Sequence, residues 1–246
     1  MSFGRPRHHF GVTDSTNERA RSLALAGAPS GTVVTAEEQT AGRGRRGRSW
    51  SAPTGKALLY SAILRPLRRE HGLLPLAVPL AVCEAVESLA PVRCAVKWPN
   101  DVWIEGRKVA GVLIEAHPPE WAVIGIGLNV AVEPGELPAD LRHPATSIGG
   151  GATVNASLAA VNERLGRWVK ASWEAVLEEF RARDALRGRD LRWEGAGGAA
   201  NSGAGVAEGI DERGNLAVLT SEGERLALGA GEVQLVLAHE SNPYPL

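Results

Sequence analysis

The stretch QTAGRGRRGRSW, residues 39–50, carries four arginines and three glycines in twelve positions and contains no acidic residue. Glycine permits backbone conformations that other residues rarely adopt, and arginine presents a planar fork of N–H donors that matches carboxylate and phosphate oxygens. The stretch therefore predicts an anion-binding loop. Three kinds of loop fit this composition: a dinucleotide-binding turn, a nucleic-acid-binding arm, or a loop that closes over a nucleotide-like reaction intermediate.

The sequence on either side predicts that strands hold this loop in place. Residues 32–38 are β-branched and then polar, and residues 57–64 form an apolar run, which are patterns typical of strands. The glycines of residues 42–47 match a G-x-G-x-x-G fingerprint. However, Pro53 and Gly55 oppose the helix that a bound pyrophosphate would need directly afterwards. The dinucleotide turn is therefore disfavoured, whereas the nucleic-acid arm stays open.

The composition limits the classes of protein to which the chain could belong. Its 246 residues can bury a substantial core, and a formal net charge of -1 gives no general attraction to nucleic acid or membranes. Cys83 and Cys94 lie in apolar surroundings without metal-ligand spacing, so we predict buried thiols instead of a disulfide or a zinc site. Since no apolar run is long enough to span a membrane and no signal sequence is evident, we expect a soluble, cytoplasmic protein with no membrane partner.

The first part of the chain predicts an α/β or α+β domain over residues 1–187. Further strands are expected over residues 8–13, 93–97, 102–104, 107–116 and 121–130, and helices over residues 15–27 and 73–89. Ser15 and Glu18 have the spacing of a capping box, which would begin the first helix. Apolar residues recur at intervals of three and four from Leu158 to Phe180, which predicts one long amphipathic helix packed on the sheet.

The composition changes near Gly188, and residues 188–246 predict a small all-β barrel. A segment rich in glycine and alanine at residues 195–205 forms the entry to it. Short strand-like runs separated by turn signals follow, at residues 206–210, 216–220, 225–228 and 233–237.

The motif KWPND at residues 97–101 ends one predicted strand in a rigid proline turn. It could present the ammonium group of Lys97 and the carboxylate of Asp101 to one polar site. Asp101 could then hold Mg²⁺ beside substrate phosphates, because Mg²⁺ usually binds one or two carboxylates and keeps several waters. The alternative is a turn in which Asp101 hydrogen-bonds its own backbone.

Two strand segments combine charge or glycine with an apolar pattern, at residues 107–115 and 125–129. In a regular strand Lys108 and Gly111 would face opposite sides. Lys108 is then either an edge residue that reaches solvent or a cation aimed into a pocket. Gly111 and Gly127 leave room for either a ligand ring or a neighbouring backbone.

Five motifs follow one another along the first half of the chain: DSTN at 14–17, the loop at 39–50, KWPND at 97–101, GRKVAGVLIE at 106–115 and GIGLN at 125–129. In this order they resemble the biotin protein ligases, a family that activates biotin with ATP and joins it to a lysine of a carboxylase carrier domain. The resemblance implies an α/β catalytic domain with a mixed sheet, similar to class II aminoacyl-tRNA synthetases, followed by a small C-terminal SH3-like β-barrel.

The resemblance also implies roles for individual residues. The biotin site would be formed by Ser15, Thr16, Asn17, Gln39, Gly42, Arg43, Gly44, Arg45, Trp50, Lys108, Gly111, Leu113 and Gly127. ATP would be bound by Arg43, Arg45, Lys97 and Asn129, with Asp101 as a ligand of Mg²⁺. The catalytic residues would be Lys108, Arg43 and Arg45, because positive charge offsets the repulsion between a carboxylate and the α-phosphate that it attacks.

The implied activity is ATP-dependent biotinylation of a carrier lysine through biotinyl-5′-AMP, with a biotin carboxyl carrier protein as the partner. A lipoate or octanoate ligase of the same superfamily is the alternative enzyme, and an arginine–glycine nucleic-acid-binding module is the alternative from another class. Only 14 residues precede Ser15. The resemblance is therefore to single-function members without an N-terminal DNA-binding domain, and we expect no DNA partner. A homodimer stays open.

Overall fold

The computed structural model describes residues 2–136, 144–195, 198–230 and 233–237. The α-helices are α1 (Thr16–Leu25), α2 (Leu74–Glu87), α3 (Val154–Trp168) and α4 (Trp173–Arg183), with short 3₁₀ turns at Arg45–Gly47, Arg69–Leu73 and Pro134–Glu136. The strands are β1 (Arg7–Thr13), β2 (Val33–Gln39), β3 (Ala57–Leu64), β4 (Cys94–Lys97), β5 (Asp101–Ile104), β6 (Arg107–His117), β7 (Trp121–Asn129), β8 (Asp190–Gly195), β9 (Gly198–Ile210), β10 (Leu216–Thr220), β11 (Arg225–Leu228) and β12 (Val233–Leu237). None of the helices in the described ranges is long and apolar enough to cross a membrane.

The first seven strands form one mixed sheet, in the order β1-β2-β3-β7-β6-β5-β4. β1 and β2 run parallel, and every other neighbouring pair is antiparallel. On one face, Ala20 and Ala24 of α1 pack against Val34 and Ile63, whereas α2 and α3 cover the other face. Because both faces are covered, all eight residues of the central strand β3 are buried, which explains why its sequence is apolar except for Tyr60 and Ser61. The predicted mixed α/β domain is confirmed.

The helix predicted over residues 15–27 is confirmed as α1, but the predicted capping box does not form. Ser15 occupies the N-cap position, and its side chain makes no capping hydrogen bond. Instead, Oδ1 of Asp14 accepts a 2.7 Å hydrogen bond from the backbone nitrogen of Ser15, and this bond lowers the pKa of Asp14. Ser15 is one of the residues that line the cleft described below.

The single long helix predicted over residues 158–180 is wrong, because two helices occupy this part of the chain. α3 ends at Trp168 and α4 begins at Trp173. Oγ of Ser172 accepts a 3.2 Å hydrogen bond from the nitrogen of Ala175, which caps α4 and favours a new helix start. The apolar spacing hid the break because both helices bury one face against α2.

The remaining strands form a second, antiparallel sheet in the order β11-β10-β9-β8-β12. No strand was predicted at β8, and β9 begins eight residues before the predicted residue 206. Glycine is uncommon in strands, but close packing requires it here, since a Cβ at Gly203 would lie 2.4 Å from the Trp193 ring. The first part of β9 was therefore missed because it is rich in glycine, although one of these glycines makes room for Trp193.

Contacts through tryptophan join the second sheet to the main domain. Nε1 of Trp98 donates a 3.0 Å hydrogen bond to the backbone oxygen of Gly214. Nε1 of Trp173 donates a 2.8 Å bond to the backbone oxygen of Glu212. Leu216 of β10 is buried in the same apolar cluster as the main sheet. The turn before β10 is therefore anchored to both the KWPND motif and α4.

The two cysteines are free, buried thiols, as the sequence predicted. They come from neighbouring elements, since Cys83 lies in α2 and Cys94 begins β4. A hydrogen bond to Cys94, together with burial, raises the pKa of the Cys83 thiol. A thiol with a raised pKa forms little thiolate and is chemically inert at neutral pH.

Replacing Trp98 with phenylalanine is expected to lower the free energy of unfolding by about 2 kcal/mol. The backbone oxygen of Gly214 loses its donor, and water cannot reach this buried position to replace it. Trp173→Phe is the matched control, since it removes a similar hydrogen bond at a more exposed position. Its expected cost is below about 0.5 kcal/mol. Urea unfolding measures both values, and equal losses would contradict a role for burial in these contacts.

Candidate functional site

The loop of residues 39–50 covers part of the α1 face of the main sheet and closes a cleft there. The Trp50 ring rests where two glycines leave space on β6 and β7. A Cβ at Gly127 would lie 2.3 Å from this ring, and a Cβ at Gly111 would lie 3.1 Å from it. These glycines therefore admit an aromatic ring and not a neighbouring backbone. Within the described structure, Nε1 of Trp50 is buried without a hydrogen-bond partner, so the cleft holds one unused donor.

The loop itself is a tight hairpin. The backbone nitrogen of Gly44 donates a 2.6 Å hydrogen bond to the oxygen of Arg48. Between them the chain turns through Arg46 and Gly47, whose φ angles of 56° and 73° lie in the left-handed region that glycine adopts freely. No α-helix follows, and the next regular element is β3 at Ala57. The loop therefore lacks the helix N-terminus of a dinucleotide-binding turn, as predicted.

Lys108 enters the cleft because the β5–β6 pair contains an irregularity. The register shifts next to Val102, and Val109 and Ala110 of β6 are both buried instead of alternating. As a result the Lys108 side chain lies on the Gly111 face, with its Cε 3.2 Å from a Cβ built at Gly111. The prediction that Lys108 and Gly111 face opposite sides is wrong, because a bulge reverses the alternation of side chains.

One end of the cleft concentrates positive charge, and we call it the cationic end. Nζ of Lys108 lies 2.7 Å from Oδ1 of Asp101 and 5.7 Å from the centre of a Trp50 ring. Three-quarters of the Lys108 side chain is buried, so it is a cation aimed into a pocket and not a solvent-reaching edge residue. The carboxylate of Asp101 faces this lysine and lines the cleft.

Arg45 reaches the cationic end from the loop. Its Nη1 donates to Oδ1 of Asn100 at 3.2 Å, and its Nη2 donates to the backbone oxygen of Ala230, in the turn after β11. Burial lowers the pKa of Arg45 and nearby Arg48 lowers it further, whereas Asp101 raises it. The guanidinium nevertheless keeps its charge at neutral pH. Arg45 thus links the loop, the KWPND turn and the turn that follows β11.

The opposite end of the cleft is built from hydroxyl and amide groups, and we call it the amide end. Oε1 of Gln39 accepts hydrogen bonds from N and Oγ1 of Thr16, at 2.7 and 3.0 Å. Oγ of Ser61 lies 2.8 Å from Oγ1 of Thr16 and 2.6 Å from Oδ1 of Asn17. A Cβ at Gly125 would lie 2.2 Å from Oδ1 of Asn17, so this arrangement needs glycine there.

Arg43 is held by two carboxylates at the amide end. Its Nη1 contacts Oε1 of Glu18 in α1, and its Nη2 lies 3.4 Å from Oε1 of Glu115 in β6. Lys108 lies seven positions before Glu115. At the usual rise per residue of a strand their backbones are roughly 20 Å apart. The Lys108 side chain shortens this span, since its Nζ lies 3.2 Å from a Cβ built at Gly111, four positions before Glu115. Arg43 and Arg45 therefore serve opposite ends of the cleft in this structure.

Most of the residues predicted for the site line this cleft. They are Ser15, Thr16, Asn17, Gln39, Arg43, Gly44, Arg45, Trp50, Asp101, Lys108, Gly111, Leu113 and Gly127. Lys97, Asn129 and Gly42 do not appear in the lining formed by the described residues. The Lys97 ammonium lies 4.8 Å from the centre of the Trp103 ring, and Nδ2 of Asn129 donates a 3.0 Å bond to the oxygen of Thr146. A Cβ at Gly42 would lie 2.3 Å from the oxygen of Trp50, so Gly42 lets the two sides of the loop approach.

Several side chains around the cleft were not singled out from the sequence, and Asn100, Ser61 and Glu115 are three of them. Asn100 lies within the KWPND motif, where its position between Lys97 and Asp101 could have indicated it. Ser61 and Glu115 gave no local signal. Each is placed by strand pairing between distant parts of the chain, since Ser61 of β3 lies opposite Gly125 of β7, which also pairs with β6.

The donor set argues against a metal held by the protein alone. No group of three or more histidine, cysteine, aspartate or glutamate side chains suited to a metal ion occurs in the described part of the chain. Mg²⁺ usually binds one or two carboxylates and completes its shell with water and substrate phosphates. Asp101 therefore fits a magnesium ion that arrives with a phosphate ligand.

The two ends together suit a ligand with a neutral polar head and an anionic tail. Contacts within the protein hold Lys108 and Arg45 in place, so they can stabilise negative charge with little reorganisation. Arg43 and Arg45 both contact groups within the protein, which differs from the outward arginines that a nucleic-acid-binding arm requires. The geometry thus favours a closing loop over such an arm.

Family models match both parts of the chain. Residues 10–129 match the biotin/lipoate A/B protein ligase family, and residues 202–236 match the biotin protein ligase C terminal domain.

Relatives of known function are similar over different shares of the chain. A bifunctional ligase/repressor BirA from Bacillus subtilis is 41% identical over 144 residues, which cover 56% of this chain and 44% of the relative. A biotin–[acetyl-CoA-carboxylase] ligase from Mycobacterium tuberculosis is 36% identical over 233 residues, which cover 90% of this chain and 85% of the relative. The chain thus spans less than half of the Bacillus relative but most of the mycobacterial one.

Solved structures are similar over nearly the whole fold. A biotin protein ligase from Aquifex aeolicus in complex with biotin and ATP has a TM-score of 0.81 and 30% identity, and covers 95% of this chain and 100% of that one. A biotin protein ligase from Leishmania major in complex with biotinyl-5-AMP has a TM-score of 0.65 and 28% identity, and covers 92% of this chain and 99% of that one.

Replacing Gly125 with alanine is expected to lower the free energy of unfolding by about 2 kcal/mol, because the new methyl group displaces the Asn17 amide from its hydrogen bonds. Gly11→Ala is the matched control, since Gly11 also lies in a strand and a Cβ there meets no atom within 4 Å. The control is expected to stay within about 0.5 kcal/mol of the parent protein. Urea unfolding compares the two, and equally small changes would contradict the crowding at Asn17.

Proposed function

This chain belongs to the biotin protein ligase family, as its five motifs predicted, and on that premise we propose that it uses ATP to attach biotin to a lysine of a carrier domain through biotinyl-5′-AMP. The observation that carries the proposal is the two-ended cleft under the arginine–glycine loop. Biotin has a neutral polar ring system at one end and a carboxylate at the other, so its chemistry matches both ends of this cleft.

At the amide end, the biotin ureido group would meet Ser15, Thr16, Asn17 and Gln39. A ureido group offers one carbonyl acceptor and two N–H donors, and the fixed hydroxyl and amide groups supply complementary partners. Trp50, Gly111, Leu113 and Gly127 would form the apolar walls. Recognition by fixed polar groups is selective, because a ligand without the matching groups leaves them unpaired.

At the cationic end, an oxygen of the biotin carboxylate would attack the α-phosphorus of ATP. The bond between that phosphorus and the bridging oxygen breaks as the new bond forms, and pyrophosphate leaves. The nucleophile is already ionised at neutral pH, so this step needs no general base. Lys108 and Arg45 would offset the repulsion between the two anions and stabilise the charge that builds up in the transition state.

Some of the residues proposed to bind ATP line the cleft, and others do not. Asp101 would hold Mg²⁺ bound to ATP, which neutralises phosphate charge. Lys97 and Asn129 are proposed to bind ATP from the family resemblance alone, because neither lines the cleft. Arg43 would have to leave Glu18 and Glu115 before it could contact the carboxylate or the phosphates. Gly42 and Gly44 would contribute the loop backbone around the ligand.

In the second step, the amine of the carrier lysine attacks the acyl carbon of biotinyl-5′-AMP, an amide bond forms and AMP leaves. The mixed anhydride must be shielded from water until the lysine arrives. The loop of residues 39–50 would provide this shield, with Arg45 fastening it to Asn100 and Ala230. The partner would be a biotin carboxyl carrier domain of acetyl-CoA carboxylase, because the name of the mycobacterial relative gives this carboxylase as its substrate.

We also infer that the two sheets correspond to the family's usual parts, with residues 1–187 as a class II synthetase-like catalytic domain and residues 188–246 as an SH3-like barrel. Residues 238–246 lie outside the described structure. The buried free thiols Cys83 and Cys94 support a reducing, cytoplasmic location. DNA binding is not part of the proposal, and a homodimer is left unassigned.

Biotin-dependent exchange of labelled pyrophosphate into ATP tests the first step directly. Lys108→Ala is expected to lower the exchange rate by about 10² to 10³, the usual loss when one preorganised electrostatic contact is removed from a transition state. Lys170→Ala is the matched control, because Lys170 is an exposed lysine distant from the cleft. We expect it to retain the parent rate.

Two outcomes would count against the proposed function, and a third would count against the role of Lys108. Exchange that depends on octanoate or lipoate but not on biotin would favour the alternative ligase. Salt-sensitive binding of RNA or DNA, without any exchange, would favour the nucleic-acid-binding module. Near-normal exchange by Lys108→Ala would refute the catalytic role of Lys108 alone.

A further inference from the structure

Glu115 of β6 touches both the amide end of the cleft and the loop that covers it. Its side chain is about three-quarters buried, and its two carboxylate oxygens have different partners. Oε2 accepts a 2.8 Å hydrogen bond from Nδ2 of Asn17, and Oε1 lies 3.4 Å from Nη2 of Arg43. One carboxylate therefore connects a residue at the head of the cleft with the first arginine of the loop.

The bond from Asn17 fixes which way its amide faces. A side-chain amide has one acceptor and two donors at similar positions, and its partners decide its orientation. Oγ of Ser61 donates to Oδ1 of Asn17 at 2.6 Å, and Oε2 of Glu115 accepts from Nδ2. Because a carboxylate can only accept, it holds the nitrogen side of the amide toward itself. The oxygen side is then fixed toward Ser61 and the floor of the cleft.

The contact with Arg43 fixes one end of the loop. Glu115 approaches the guanidinium from the sheet, and Glu18 approaches it from α1. Further along the loop, Arg45 is bound to Asn100 and Ala230 at the other end of the cleft. The loop is therefore anchored on both sides of the site, and the anchor at the amide end is carboxylate-dependent.

We propose that Glu115 is a positioning residue that couples recognition of the biotin head group to closure of the loop. The inference rests on the proposed function for its ligand, but the anchoring of the loop is a property of the protein itself. Arg43 then acts chiefly as an anchor of the loop, and charge stabilisation at the phosphates falls to Arg45 and Lys108. Head-group contacts that hold Asn17 in place also hold Glu115, and Glu115 keeps the loop closed.

Two substitutions at Glu115 separate the two contacts. Glu115→Gln keeps an oxygen that can accept from Asn17 but removes the charge that attracts Arg43. Glu115→Ala removes both contacts. Glu18→Gln weakens the anchor of Arg43 and leaves the bond to Asn17 in place; it also weakens the 3.4 Å pair between Glu18 and Arg21 within α1. Glu120→Gln is the matched control, because Glu120 lies in the turn after the same strand and is exposed.

Calorimetric titration with biotin alone reads the contact with Asn17. Glu115→Ala is expected to weaken biotin binding about tenfold, the usual effect of losing one hydrogen bond that orients a ligand contact. Glu115→Gln is expected to restore binding to within about threefold of the parent protein. ATP binding should be unchanged in both. A variant that weakens biotin and ATP alike, or a Gln variant as weak as the Ala variant, would overturn the positioning role.

Limited trypsin digestion of the ligand-free protein reads the loop anchor without requiring any catalysis. The exposed Arg46 and Arg48 are the cleavage sites, and mass spectrometry gives the rate of cutting. Glu115→Gln and Glu18→Gln are each expected to speed cleavage in the loop about threefold, because local opening costs less free energy when a partly exposed ion pair is lost. Higher salt should speed cleavage of the parent protein more than that of Glu115→Gln, since salt screens the pair between Glu115 and Arg43, which only the parent protein has.

The outcomes distinguish this inference from the proposed function. Unchanged cleavage in both Gln variants would overturn the anchor, whatever ligand the protein binds. If the parent protein bound no biotin, the proposed function would fail, while the digestion would still decide the anchoring role. Faster cleavage in Glu120→Gln as well would show a general loss of stability and would also overturn the inference.

Discussion

The site depends on a lysine held inside a cleft by one carboxylate. A mostly buried ammonium group is costly unless it is paired, and Asp101 lies 2.7 Å from Nζ of Lys108. The pair exists only because the β5–β6 irregularity turns Lys108 onto the α1 face, where Gly111 leaves space for its side chain. The position of Lys108 thus depends on three features together: the β5–β6 irregularity, the glycine at position 111 and the ion pair with Asp101. It provides a fixed positive charge at the place where the proposed reaction brings two anions together.

The other end of the cleft presents hydroxyl and amide groups to a ligand instead of a fixed positive charge. At the amide end, Thr16 and Asn17 are oriented by partners on strands far away in the sequence, which suits a neutral head group. The loop spans the distance between the ends, and two of its four arginines are bound separately, Arg43 by carboxylates and Arg45 by neutral oxygens. The C-terminal part of the chain contributes to the site through Ala230, in the turn after β11, so both parts of the chain hold the loop in place.

Sequence patterns predicted the elements of the fold better than their connections. The strand pattern of residues 57–64 was sufficient because β3 is buried on both faces, and the loop composition was sufficient to indicate an anion site. Periodicity could not locate the break at Ser172, since apolar spacing continues across it, and it could not anticipate the bulge beside Lys108. Residue composition also hid most of β9, where glycine serves tryptophan packing. Glu115 could not be found locally, because its partners Asn17 and Arg43 come from α1 and the loop.

The central claim is that the cleft makes an acyl-adenylate from biotin and passes the biotinyl group to one protein lysine. The most direct measurement is intact-mass spectrometry of a biotin carrier domain after incubation with this protein, biotin and Mg-ATP, followed by peptide mapping. The account predicts a single added biotinyl group on one lysine, and no addition when either biotin or ATP is left out. A carrier domain that stays unmodified with all components present, or that is modified without ATP, would contradict it.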